Sequence, residues 1–135
     1  MGGSYKGVRL TFQEYFEKLG EDATKWGKPM AAILGANVAQ DAFETAAIGG
    51  KDSMSGTFKD IHVPPTLISF AVKPVHVDKV ITPELKNTDS QLVLFEAVRK
   101  NDETPDFEVL IENFKTIHQL IQSKTIVSAY TISEG

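Results

Sequence analysis

The chain has 135 residues, no cysteine, a formal charge of −4 at pH 7, 41% hydrophobic and 24% charged residues. This composition supplies a packed core and disfavours disorder, and the missing cysteines exclude disulfides, cysteine–zinc sites and thiol catalysis. A negative balance without a basic cluster argues against sequence-independent nucleic-acid binding. No apolar run is long enough to span a bilayer and the start lacks a signal-peptide core, so a cytoplasmic chain with no membrane partner is expected.

In chain order, residues 1–7 are small, polar and glycine-rich and read as a tail. Thr11 and Glu14 have the spacing of a capping box, with Leu10 and Tyr15 placed as a hydrophobic staple. Phe12, Tyr15, Phe16 and Leu19 then recur at helical spacing, which predicts a helix with one buried aromatic face that ends near Gly20. After the break at Trp26-Gly27-Lys28-Pro29, Pro29 suits the first turn of a second helix, predicted over Met30 to Ala46. Met30, Ile33, Leu34, Val38, Ala42 and Phe43 are expected to face inward, with Asn37, Gln40, Asp41 and Glu44 on the polar remainder.

The helix leads into Ala46-Ala47-Ile48-Gly49-Gly50-Lys51-Asp52-Ser53-Met54-Ser55. Two glycines followed by a cation, an anion and two hydroxyls predict a bend. Its amides can form a concave anion site, with charge from Lys51 and hydroxyls from Ser53 and Ser55. An ordinary polar turn has the same composition. A Walker A loop is excluded, because Thr45 and Asp52 stand where that motif needs glycine and a hydroxyl residue.

Residues 56–61 read as a short strand or a loop. Val63-Pro64-Pro65 is extended. Thr66 to Val72, apolar on both alternating faces, reads as an interior strand covered on each side. The mixed segment from Lys73 to Pro83 carries a domain junction near His76. Gln91 to Glu96 reads as a strand and Arg99 to Thr104 as a charged loop. A helix follows with Pro105 at its first position and Phe107, Leu110, Ile111, Phe114, Ile117 and Ile121 as its inward stripe. Thr125 to Tyr130 reads as another strand, and Thr131 to Gly135 as a turn. His62, His76 and His118 lack metal-ligand spacing. The expected class is α+β, a mixed sheet with packed helices.

Gly49-Gly50-Lys51-Asp52-Ser53-Met54-Ser55, followed by Pro64-Pro65-Thr66-Leu67-Ile68-Ser69, resembles phosphoribosylformylglycinamidine synthase of the large form. Leu10 to Phe16 resembles the stretch that precedes this motif in one branch of that family. Ser128 to Gly135 stands in the place of a family His-Asp-x-Ser-Asp-Gly-Gly motif. The resemblance implies AIR-synthetase-like domains: 1–75 as the later part of an N-terminal, ATP-binding type, and 76–135 as the first part of a C-terminal type. It implies ATP and Mg as cofactors and formylglycinamide ribonucleotide as the substrate. ATP activates the amide oxygen as an iminophosphate and ammonia displaces the phosphate. The remaining domains, including the glutaminase, would lie outside this chain, and the isolated piece is expected to be inactive and to self-associate through exposed apolar surface.

The same resemblance implies that Gly50 contacts nucleotide, Ser53 substrate and Ser133 nucleotide. Lys51 stands in place of a magnesium-holding asparagine and is assigned a phosphate contact. Asp52 could hydrogen-bond the loop or reach magnesium, and the structural role in the loop is the one favoured; Gly49 and Ser55 complete the binding set. No catalytic or metal-ligating residue is assigned. Thr131 replaces a family aspartate and Tyr130 a histidine, which weakens the nucleotide site built on that terminal motif. A non-catalytic, pseudo-symmetric structural half and a selenophosphate-synthetase relative are the alternative readings.

Overall fold

In a computed structural model, residues 2–133 are described, and they fall into two units: 6–72, and 73–133 together with 2–5. The first unit is built on β1 (Arg9–Tyr15), the middle strand of a mixed sheet. Helix α1 (Ala23–Phe43) carries the chain over to β2 (Ala46–Ser53), which pairs with β1 in parallel. Parallel neighbours need such a crossover. A two-residue hairpin of β3 (Thr57–Phe58) and β4 (Ile61–His62) follows. Strand β5 (Thr66–Val72) then closes the order β2-β1-β5, antiparallel to β1.

The helix expected over residues 11–19 is therefore a strand followed by a corner. Leu10, Phe12, Glu14 and Phe16 alternate as well as they repeat at helical spacing, and ladders on both sides settle the ambiguity in favour of the extended form. Glu14 is consequently no capping residue. The expected bend at Gly49-Gly50 is likewise extended strand: Gly49 pairs with Thr11 and Gly50 with Phe12. The register slips between Leu10 and Thr11, leaving Ile48 as the extra residue on β2. Strand β5 has the expected bounds but is an edge strand, with Ile68, Phe70 and Val72 exposed.

Helix α1 starts earlier than expected. Asp22 caps it by accepting from the Thr24 amide at 2.9 Å, and the Trp26 indole donates to the Gly20 carbonyl at 3.0 Å. Pro29 thus lies inside the helix, buried, rather than in its first turn. The helix ends at Phe43, where Glu44 adopts the left-handed conformation at φ 51°. Trp26, Met30, Leu34 and Val38, spaced every fourth residue, form an outward row, each more than half exposed. Ile33, although exposed, faces the sheet across a cleft, so the inward-facing expectation fails for Met30, Leu34 and Val38.

Behind β1, Phe16 and Leu19 are buried beside Glu17. Glu17 binds Lys25 at 2.9 Å and also pairs with Lys28, while His62 Nδ1 lies 3.8 Å away. Two lysines of the first helical turns thus tether α1 to the end of β1, which explains why the helix extends N-terminally beyond Pro29.

The second unit holds α2 (Phe107–Gln122), capped by Asp106, which accepts from the amides of Glu108 and Val109. Pro105 precedes the cap instead of opening the helix. Of the expected stripe, Ile121 is buried, Phe107, Leu110, Ile111 and Ile117 are half-buried, and Phe114 is exposed at its edge, tilted against Tyr5. Residues 2–5 are not a tail. Gly2 is buried at φ 95°, its carbonyl accepts from Gln122 Nε2 at 3.1 Å, and a Cβ there would meet the Lys79 carbonyl at 2.0 Å. Gln91 to Glu96 forms no strand; Leu92, Val93 and Leu94 are exposed, and Asn113 holds the Glu96 carbonyl at 2.9 Å. Residues 125–130 contribute one isolated bridge, Thr82 to Ser128. Glu134 and Gly135 of the terminal motif lie outside the described residues.

Candidate binding cleft

Strand alternation assigns each sheet residue to a face. One face carries Phe12 and Glu14 from β1, Gly50 and Asp52 from β2, and Leu67 from β5, the register partner of Glu14. Opposite them, Ile33, Ala36, Asn37 and Gln40 form one face of α1 by their spacing. Together with Ala47, Gly49 and Lys51 these residues line a cleft of about 440 Å³.

Backbone proximity explains Gly50: a Cβ there would lie 2.6 Å from the Phe12 carbonyl oxygen. Gly49 meets nothing within 4 Å. Gln40 fixes the wall between helix and strand. Its Oε1 accepts from the Ala47 amide at 2.9 Å, and its Nε2 donates to Asn37 Oδ1 at 3.3 Å.

The acids are the unusual part. Glu14 and Asp52 are register partners on adjacent parallel strands, so both side chains leave the same face. Glu14 is only 8% exposed, Asp52 is exposed, and both line the cleft. Burial pushes the Glu14 carboxyl above its ordinary range, and the neighbouring Asp52 charge adds to the rise. Among the described residues the Glu14 carboxylate accepts no hydrogen bond, and its oxygens reach solvent through the cleft.

Of the residues singled out from sequence, Gly49, Gly50, Lys51 and Asp52 line this cleft. Alternation directs the Lys51 Cβ, with its partner Gln13, away from the face that carries Asp52. Ser53 and Ser55 lie at and beyond the strand end, their hydroxyls 3.4 Å apart, outside the lining. Ser133 belongs to the other unit and is exposed. Because β2 is an edge strand in a parallel ladder, alternate backbone groups are committed to β1 and the rest lie on its free edge. Gly50 thus acts by close approach of extended backbone, and the two glycines form no nest.

Sequence reasoning missed Glu14, Asn37 and Gln40. The Leu10/Phe12/Glu14/Phe16 alternation was the signal for the first. The spacing of Ile33, Ala36, Asn37 and Gln40 was the signal for the others. Among the described residues no group of three or more His, Cys, Asp or Glu side chains could hold a metal ion, and no helix is long and apolar enough to cross a membrane. No family model, curated protein or solved structure matches the chain.

Proposed function

We propose that the chain is part of a phosphoribosylformylglycinamidine synthase, with an AIR-synthetase-like fold, and that the cleft between α1 and the sheet receives a phosphorylated nucleotide metabolite. One observation carries the reading: the Gly49-Gly50-Lys51-Asp52 run on which the family resemblance rests forms a wall of that cleft. Gly50 removes side-chain bulk, so a ligand can lie against backbone, and the free edge of β2 offers amides to phosphate oxygens. Ser53 and Ser55 extend the same edge with hydroxyl donors. ATP and formylglycinamide ribonucleotide are the ligands this reading assigns, with ammonia delivered by a glutaminase elsewhere in the assembly.

The alternative, a structural half without turnover, draws support from Thr131, since a hydroxyl is a poor replacement for a carboxylate around a hard dication. Lys51→Ala and Ser53→Ala in the complete synthase polypeptide, assayed for amidine formation with ammonia, separate the two. A fall in turnover of roughly tenfold or more in either supports the catalytic reading. Unchanged kinetics in both leaves the structural one. The isolated chain is expected to form no amidine from ATP, substrate and ammonia; product formation by purified chain would contradict its assignment as a part.

A further inference from the structure

Helix α2 carries Phe114, His118 and Gln122 on one face by their spacing. Residues 2–5 are held at both ends of that row. The Gly2 carbonyl accepts from Gln122 Nε2 at 3.1 Å, and the Tyr5 ring lies against Phe114 with centroids 6.2 Å apart. Phe114 and Gln122 are separated by about 12 Å of helix, and extended backbone from Gly2 to Tyr5 spans about 10 Å. Gly3 and Ser4 therefore cross α2 at His118. The other side of this strap is fitted to residues 75–80. A Cβ on Gly2 would lie 2.0 Å from the Lys79 carbonyl oxygen, and one on Gly3 would lie 2.8 Å from Val75 Cγ1.

His118 Nδ1 is closed off from solvent and has no hydrogen-bond partner among the described residues. A neutral imidazole tolerates this, because its single proton can stay on Nε2. An imidazolium carries a proton on both nitrogens, and a buried Nδ1–H would face nothing that accepts it. The charged groups of the surrounding elements are engaged elsewhere or stand apart. On α2, Glu112 pairs with Lys115 at 3.5 Å; on the segment behind the strap, Asp78 pairs with Lys79 at 4.0 Å, with Lys73 and the exposed His76 on the same stretch. Glu96 meets α2 at Asn113, on another face, and Lys124 stands beyond the helix cap. The strap itself brings the Tyr5 phenol. We propose that residues 2–5 form an acid-released strap on α2, with His118 as its trigger. Release lets water take the Nδ1 proton, so the undocked form holds a proton that the docked form has no place for, and falling pH favours undocking. Release uncovers the Phe114–Gln122 face of α2. The inference is independent of the synthase reading, since no cleft residue enters it.

The test is solution NMR on the full chain between about pH 7.5 and about pH 5. Cross-peaks between the Tyr5 and Phe114 rings report docking, and heteronuclear NOE values of the Gly3 and Ser4 amides report local order. Both should be high at the upper pH and fall by about half or more at the lower one. The midpoint should coincide with that of the His118 ring signal. Gly2→Ala, whose Cβ has no room, should give undocked values throughout and supplies the reference. His118→Leu should stay docked at both ends of the range, and His76→Gln should respond as the wild type does. Docked values that persist to the lower pH in the wild type would overturn the strap's release. So would a midpoint that follows the His76 ring, which needs no variant to fold, or the same loss in His118→Leu.

Discussion

Glu14 and Glu17 share a strand end, a residue type and a degree of burial, 8% and 7% exposed, yet their surroundings are opposite. Glu17 sits at the corner after β1 with Lys25 and Lys28 bound to its carboxylate. The Lys28 and then the Lys25 hydrogen bonds hold its pKa down at about 2. Glu14 faces the cleft with an apolar neighbour on β5 and a second acid on β2, and its carboxyl is pushed up. One acid fastens α1 to the sheet. The other is left in an environment that destabilises its charged form.

The largest effect should come from the cleft side without touching either acid. Gly50→Ala places a Cβ 2.6 Å from the Phe12 carbonyl, and backbone cannot yield as a side-chain tip can. A loss of about 2 kcal/mol in urea unfolding is expected, from overpacking between β1 and β2. Native-like stability would mean that the ladder adjusts easily and that the glycine is not needed for the close approach.

Removing the Glu17 charge should come next. Glu17→Gln keeps the volume but releases two lysines from the corner, so the unfolding midpoint should fall at neutral pH. The pH dependence has a definite sign. A carboxyl with a depressed folded pKa contributes stability that is complete above its ordinary value of 4.5 and disappears as pH falls through about 2. The gap between wild type and Glu17→Gln should therefore close on acidification across that window. A gap that stays constant would show that the variant acts through packing instead of charge.

Glu14→Gln should move stability the other way, by up to about 1 kcal/mol at neutral pH, since it replaces a charge that partial burial and the Asp52 carboxylate disfavour by a neutral group. A raised folded pKa favours the folded state in acid and opposes it as the carboxyl ionises. The gain should therefore appear above the ordinary carboxylate range and vanish below it. A destabilised Glu14→Gln at neutral pH would show that Glu14 is held by the fold as Glu17 is, and the contrast would collapse.

What could be read in advance follows the same division between local and distant causes. Helix α2 was legible because its six-residue apolar stripe and its start just after Pro105 are local, and β5 because seven residues between a proline pair and a lysine admit little else. Strand β1 was not. Thr11 and Glu14 fit a capping box, and the aromatic residues from 12 to 16 fit both periods; the decision came from partners some 35 and 60 residues away. Misreading that strand also hid Glu14, because a helix would have sent it to solvent. The Gly49-Gly50 segment failed similarly. Glycine permits a bend and an extended strand alike, and only pairing with Thr11 and Phe12 chooses.

The smallest expected effect is concentration-dependent and lies on the far side of α1 from both acids' strand. Trp26, Met30, Leu34 and Val38 form an outward apolar row, and contiguous exposed apolar surface of this kind drives association. Trp26 is the only tryptophan in the chain, so its emission reports on that row directly. Light scattering should show weak self-association, with a blue shift of the tryptophan emission as concentration rises. Leu34→Glu should abolish both while leaving the Glu14 and Glu17 responses intact, because residue 34 lines neither the cleft nor the corner. A chain that stays monomeric, with invariant emission, would show that the row is tolerated in water and that the unusual energetics of this unit are confined to its acids.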